Sequence, residues 1–192
     1  MKRVLKICMG AVIIAISLIG CEGLKDDDHD GSDGNNPYYF QVGSTKYSVD
    51  KGILEAFGED DGLWEDWSYE GYNFDLRLAS EGVEFDEEGF SSGTGALIYF
   101  ELFSASATDL EPGLYEFDNS SDTAKTGTFD DAYYEIGIDN STDGTMIDIV
   151  SGSINVSKSG SIYEISINCE DEEGNTINGH YQDSLRFLDL TF

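Results

Sequence analysis

The chain is poor in basic residues. It carries ten lysines and arginines against 39 aspartates and glutamates, for a formal net charge of −29. Nucleic-acid binding requires clustered cations that displace counterions from phosphate, and electrostatic binding to anionic lipid requires a polybasic segment. The few basic residues are scattered, so the composition excludes both kinds of partner. An acidic excess keeps a protein soluble at an anionic cell surface. The alternative interpretation is that the acidic residues attract divalent cations or cationic peptides.

Cysteine and histidine are also scarce. Of three cysteines, Cys8 and Cys21 belong to the N-terminal segment, which leaves Cys169 without an intrachain disulfide partner. Cys169 continues an apolar alternation that starts at Tyr163, so we expect a small buried hydrophobe rather than a reactive thiol. Two histidines far apart in the sequence argue against a zinc site.

No segment sustains a helical period of 3.6 residues, and two prolines with 22 glycines suit a chain of many turns. Apolar and polar residues instead alternate at period two over 72–78, which predicts a half-buried strand. Residues 96–103 are almost continuously apolar and predict a strand covered on both faces. Between residues 146 and 156 the apolar residues Met146, Val150, Ile154 and Val156 all occupy even-numbered positions. This pattern predicts one long strand that bends at Gly152.

Further strands and turns follow the same pattern, beginning with a hairpin through residues 43–45. About nine or ten antiparallel strands are expected between residues 37 and 192, and short turns join the last four as a meander. The sequence therefore predicts a single all-β domain over 37–192. Two architectures stay open, a meander-rich antiparallel barrel of lipocalin-like form and a β-sandwich.

The N-terminus has the layout of an export signal. Lys2, Arg3 and Lys6 precede an apolar run over 8–19. The run is too short for a spanning helix, which needs about 20 residues, and aspartates follow it. We therefore predict a signal peptide over 1–20.

The end of this run, Leu18-Ile19-Gly20-Cys21, resembles a bacterial lipobox. The next residues, EGLKDDD at 22–28, resemble the acidic export tag of Bacteroidota surface lipoproteins. This resemblance implies cleavage before Cys21, lipidation of Cys21 by groups such as palmitate, and an outer-membrane anchor with the domain facing the cell exterior. Residues 21–36 are then an acidic flexible tether. The alternative is a plain cleaved signal peptide.

Three segments of the domain are similar to recurring segments of Bacteroidota surface lipoproteins to which no activity is assigned. These segments are 152–165, 174–181 and 113–117, and the pattern is broken where Gln182-Asp183 replaces a glycine. The motifs consist of strand and turn residues. The resemblance therefore implies an all-β surface lipoprotein and supplies no catalytic residue.

One short motif suggests a hydrolase. Residues 89–93 match G-x-S-x-G around Ser91. In the hydrolase fold this serine follows a strand and opens a helix, whereas here an acidic loop precedes it and a strand follows. His180, the one histidine of the domain, falls on a polar strand face. With 39 acidic residues, paired carboxylates arise by chance, so we assign no catalytic residue and predict a non-enzymatic protein.

Residues 139–144 open like a calcium-binding loop. The twelfth position of that loop is Val150, so the bidentate carboxylate of a complete calcium loop is missing. Two interpretations stay open, a β-turn and a weak Ca²⁺ site, and no other cofactor is expected. The candidate ligands are Asp139, Ser141, Asp143 and Asp148.

Two tryptophans, Trp64 and Trp67, lie with Tyr69 in an acidic, turn-rich stretch over 59–69. Aromatic rings stack on sugar faces and nearby carboxylates accept hydrogen bonds from hydroxyls. The alternative is that both indoles close one end of the β domain.

The sequence thus predicts a non-enzymatic cell-surface lipoprotein that binds glycans or other extracellular ligands. Its expected partners are the membrane, through the lipid, and a polysaccharide or surface protein. The alternative is a structural or accessory subunit of a surface assembly. A small secreted hydrolase is the third class and rests on Ser91 alone.

Overall fold

The computed structural model describes residues 36–60, 62, 68–140 and 144–191. These residues form fifteen β-strands and no helix, which confirms the all-β prediction. The strands are β1 Tyr39–Val42, β2 Thr45–Ser48, β3 Lys51–Gly58, β4 Ser68–Tyr69, β5 Tyr72–Ala79, β6 Val83–Phe85, β7 Ser91–Gly93, β8 Gly95–Ser104, β9 Gly113–Phe117, β10 Thr123–Ala124, β11 Thr128–Ile138, β12 Thr145–Ser159, β13 Ile162–Asp171, β14 Thr176–Ser184 and β15 Arg186–Asp189. Nowhere in these ranges is there a helix with the length and apolar character needed to cross a membrane.

Eleven of the strands form one curled sheet in the order β15-β3-β5-β8-β11-β9-β12-β13-β14-β1-β2. Most neighbours are antiparallel, as expected from a meander, but β15 pairs with β3 and β11 pairs with β9 in parallel. The remaining strands pair as β4 with β10 and β6 with β7. The strongly curled sheet agrees with both predicted architectures, since its inner face encloses one core.

The inner core follows the alternation of the sequence. Every second residue of β13 from Tyr163 to Cys169 is buried, while the residues between them are exposed. Cys169 is buried, as predicted. The hairpin of β1 and β2 turns at Gly43-Ser44, also as predicted, and stacks Phe40 on Tyr47 with ring centroids 5.0 Å apart.

A second apolar cluster covers the outer face of β3, β5 and β8. Its centre is Leu97 and Tyr99, and the short strand β6 packs Val83 and Phe85 against them. Strand β8 is therefore covered on both faces, which confirms the prediction for 96–103. The prediction of a half-exposed β5 is wrong, because Asn73 and Asp75 on its second face are also buried.

Strand β12 is one long strand that bends at Gly152, as predicted. The φ angle there is +115°, and an added Cβ would lie 2.4 Å from the carbonyl oxygen of Asn168. A bulge between Ile149 and Ser151 also shifts the register against β13. The apolar residues at even-numbered positions were expected to share one face of the strand. That prediction is wrong, because the extra residue of the bulge moves the side chains before it to the opposite face. Ile149 is buried, and Met146 and Val150 are exposed.

Candidate functional site

Several residues singled out from the sequence lie outside the described residues, so their predictions stand as predictions. They are Cys21, Trp64, Trp67, Ser141 and Asp143.

Tyr69, the third aromatic residue of the 59–69 segment, is half-buried in β4. Its ring lies 5.4 Å from that of Phe103, and its hydroxyl donates a hydrogen bond to the carbonyl of Gly58 at 3.3 Å. Ser68 next to it is hydrogen-bonded to Thr123 of β10 through their hydroxyls at 2.9 Å. Tyr69 thus fastens the end of the segment to the body of the domain.

Two of the candidate calcium ligands, Asp139 and Asp148, are exposed. Near them the amide of Gly144 donates to the Oε1 atom of Glu135 at 2.7 Å, which ties down the end of the loop. Among the described residues, no group of three or more His, Cys, Asp and Glu side chains is placed to hold a metal ion.

Ser91 is the first residue of β7 and lies exposed opposite Phe85 of β6. Strand β8 follows it directly, so the strand–turn–helix context of a hydrolase serine does not occur here. His180 belongs to β14 of the large sheet. The two residues therefore sit in different sheets.

The outer face of β12, β13, β14, β1 and β2 carries polar side chains in two rows across the strands, most of them serine, asparagine or glutamine and one of them a lysine. Residues directly opposite each other on paired strands share a face, so the register fixes each row. We call these ten residues the polar strip. One row is Asn155–Ser166–His180–Tyr39–Ser48, and the other is Ser153–Asn168–Asn178–Gln41–Lys46.

The polar strip contains no carboxylate, although 39 of the 192 residues are acidic. Five of its side chains are exposed and the other five are half-buried. Carboxylates appear immediately beyond it, at Glu164 and Glu170 on β13. On the neighbouring β9, the exposed Leu114 continues one row and Glu116 ends the other. The strip is thus a carboxylate-free surface with an acidic margin, and the lysine at its end, Lys46, is its one cation.

Aromatic groups lie at one end of the polar strip. The ammonium group of Lys46 sits 3.8 Å from the centroid of the Tyr39 ring, a cation–π contact. The ring of His180 lies edge-on to that of Tyr38 at 6.1 Å. The side-chain nitrogen of Gln41 donates to the carbonyl of Gly43 at 2.8 Å, so its amide is held in one orientation with the oxygen still able to accept.

A different arrangement lies on the outer face of β3, β5 and β8. Glu55, Asp75 and Glu101 are directly opposite one another on these three strands and form what we call the carboxylate row. Arg77 lies beside it, with its Nη1 atom 2.8 Å from Glu55 and 2.6 Å from the carbonyl oxygen of Gly89. The Tyr99 hydroxyl donates to Asp75 at 3.0 Å.

Burial dominates the electrostatics of the carboxylate row. It raises the pKa of Asp75 to about 7, although Arg77 and the Tyr99 hydrogen bond oppose the shift. Burial, reinforced by the neighbouring charge of Asp75, raises the pKa of Glu101 to about 8. Burial also raises the pKa of Glu55. The segment that ends at Gly89 lies over Glu55 and Arg77, and Glu101 at the other end of the row is half-buried. All three carboxyl groups therefore favour the protonated form more than a free carboxyl group does.

Sequence reasoning missed both arrangements, for different reasons. The alternation in β13 and β14 was visible, but the cross-strand rows depend on pairing register, which the sequence alone does not give. The signal for the carboxylate row was Glu101, the one acidic residue within an otherwise apolar run. Its neighbours Glu55 and Asp75 come from other strands.

Comparison of the chain with protein-family models, with curated proteins and with solved structures finds no match in any of the three.

Proposed function

We propose that this protein is a non-enzymatic, lipid-anchored cell-surface protein that binds glycans through the polar strip. The observation that carries the proposal is the carboxylate-free, hydroxyl- and amide-rich face in a chain of net charge −29. Amide groups donate and accept hydrogen bonds at once, and hydroxyls do the same. A ligand covered with hydroxyl groups is the natural complement to such a surface.

The anchor and the location rest on the N-terminal sequence. The lipobox at Cys21 and the acidic residues after it support a lipid anchor on the outer membrane, with the domain outside the cell. A tether over 21–36 supports a domain that reaches ligands without a fixed orientation. Detecting a diacylglyceryl-modified Cys21 by mass spectrometry of the membrane fraction tests this part, and an intact Leu18–Cys21 junction contradicts it.

An alternative role as a subunit of a surface assembly draws less support from the sheet edges. The edge strands β2 and β15 are four residues long and carry charged residues such as Lys46 and Arg186. Short, charged edges are typical of strands protected from pairing with another chain.

Affinity electrophoresis of the full chain in native gels tests the glycan proposal. The gels contain neutral polysaccharides such as glucomannan and xyloglucan, and in parallel anionic ones such as polygalacturonate. We expect retardation by at least one neutral polysaccharide. Unchanged mobility in every gel overturns the proposal.

Matched variants locate the site. Asn168 and Asn178 lie directly opposite each other in the polar strip, so N168A/N178A removes two facing amides. The control is N119A, which removes an exposed amide from a loop. We expect the double variant to lose retardation and the control to keep it. Loss in W64A/W67A with retention in N168A/N178A would instead place the site in the 59–69 segment.

A further inference from the structure

We infer that the polar strip binds the interior of an extended, neutral polysaccharide chain that lies across the strands. This inference rests on the proposed function and adds the ligand class, its direction and its length.

The shape of the strip sets the direction. It crosses five strands, and with a strand spacing of about 4.8 Å the four steps span about 19 Å. Along β13 its width is only the separation of Ser166 and Asn168, about 7 Å, before Glu164 and Glu170 intervene. The long axis therefore runs perpendicular to the strands.

The length of the strip sets the size of the ligand. An extended pyranose chain repeats on a distance close to the strand spacing of about 4.8 Å, so about one sugar falls over each strand and about four or five fill the strip. The strip lies on a sheet face rather than at the bottom of a pocket, which suits contact along a chain better than contact with a chain end.

The acidic margin sets the charge of the ligand. Glu164 and Glu170 lie within about 7 Å of the strip along the strand, closer than the Debye length of about 8 Å at physiological ionic strength. Glu116 adds a third carboxylate at the end of one row. Lys46, at the opposite end of the strip, offsets only one of these three charges, so a uronic-acid or sulfated chain would face net repulsion, whereas a neutral chain would not.

The side chains of the strip are suited to repeated weak contacts. Serine and asparagine are short and lose little rotamer entropy on binding compared with lysine or glutamate. Serine and asparagine supply both positions on β12 and β13, and each of the other three strands also supplies two polar side chains, so a chain gains contacts in proportion to the number of strands that it crosses. Affinity should therefore grow with chain length and then level off.

Isothermal titration calorimetry with neutral oligosaccharides of two to eight sugars tests the inference. The probes are size fractions from partial hydrolysis of glucomannan and xyloglucan. We expect the affinity to rise at least about tenfold between two and five sugars, equivalent to about 1.4 kcal/mol, and to change little beyond that. Equal affinity for the disaccharide and the longer fragments overturns the inference and leaves the proposed function standing, whereas absence of binding to every polysaccharide overturns both.

A charge variant supplies the second readout. In E164Q/E170Q the margin on β13 is neutral, so we expect unchanged affinity for the neutral pentasaccharide and new, measurable binding of oligogalacturonate at low salt. Tight binding of oligogalacturonate to the unaltered chain contradicts the inference. Both substitutions are at exposed positions, which keeps the fold intact for the comparison.

Discussion

Asp75 and Glu101 lie directly opposite each other on the outer face of β5 and β8, where Asp75 is buried and Glu101 is half-buried. Directly opposed residues have Cβ atoms about 5 Å apart, and two negative charges in that relation destabilise a sheet. Burial raises the pKa of Asp75 to about 7 and, helped by the charge of Asp75, that of Glu101 to about 8. The folded protein therefore holds protons on this pair at pH values where the unfolded chain has released them.

This relationship predicts that stability falls as the pH rises. An unfolded aspartate loses its proton near pH 3.9, whereas folded Asp75 keeps it until about pH 7. The contribution of Asp75 to the free energy of unfolding should therefore decrease between about pH 4 and pH 7, and that of Glu101 up to about pH 8, because the unfolded state binds fewer protons than the folded state in these intervals. Asp75→Asn, which removes this titration, should be more stable than the unaltered chain at pH 8 by about 1 to 4 kcal/mol.

Urea unfolding at pH 5 and pH 8 checks this prediction. The control is Asp122→Asn, which neutralises an exposed carboxylate and should leave the pH dependence unchanged. Equal pH dependence in Asp75→Asn and in the unaltered chain contradicts the assignment.

Removing the guanidinium beside the carboxylate row should destabilise the fold. Arg77 contacts Glu55 at 2.8 Å and lies over the Tyr99 ring at 5.3 Å, and Glu55 is only 1% exposed. Arg77→Met leaves a buried carboxylate without its partner, at a cost of about 3 to 5 kcal/mol in the free energy of unfolding. The double variant Arg77→Met with Glu55→Gln should recover part of that loss, and chemical denaturation of the four proteins in the cycle measures it. A double variant no more stable than Arg77→Met would show that the pair does not interact as described.

Two glycines on the β12–β13 hairpin should respond differently to alanine. At Gly152 the φ angle is +115° and a Cβ would lie 2.4 Å from backbone atoms of β13, whereas at Gly160 the φ angle is +63° and no heavy atom lies within 4 Å. We expect Gly160→Ala to cost about 1 kcal/mol from the left-handed backbone alone. Gly152→Ala should cost about 3 kcal/mol or more, since strain and a backbone clash add. Thermal unfolding of the two variants compares them, and equal costs would be evidence against the bend at Gly152.

Cys169 should be chemically inert in the folded protein. It is buried, and burial raises the pKa of its thiol to about 11. Because the thiolate is the reactive form, alkylation by iodoacetamide at pH 8 should be slow until denaturant unfolds the chain. Peptide mass spectrometry after timed labelling gives the rate at this position. Rapid labelling under native conditions would mean that β13 opens far more easily than its burial indicates.

The sequence predicted well those features that a single strand determines. The period of β13, the burial of Cys169, the first hairpin and the two-sided burial of β8 all follow from local alternation or from an unbroken apolar run. The exposure of Asn73 and Asp75 was mispredicted because it depends on residues distant in the sequence, such as Tyr99, which is hydrogen-bonded to Asp75, and Glu101, which is hydrogen-bonded to Asn73. Met146 was predicted to share a face with Ile154. This prediction was wrong because a bulge between the two positions adds one residue, and no local sequence signal marks the bulge.

The candidate site shows the same division. Each residue of the polar strip belongs to an alternation that could be read from its own strand, but the absence of carboxylates from two complete rows emerges only when Asn168 is placed beside Asn178 and Ser166 beside His180. Register between strands depends on packing of the whole sheet. The tryptophan hypothesis used one contiguous segment, which is why the sequence could suggest it.

Nuclear magnetic resonance of the ¹⁵N-labelled chain tests the central claim most directly. The side-chain amides of Asn168 and Asn178 and the indole groups of Trp64 and Trp67 give separate signals, which report on the two candidate locations at once. On titration with pentasaccharide fractions of glucomannan and of xyloglucan, the account predicts that at least one fraction shifts the signals of Asn168, Asn178 and the backbone amides of β13 and β14. Shifts confined to the tryptophan signals, or no shift with either fraction, would contradict it.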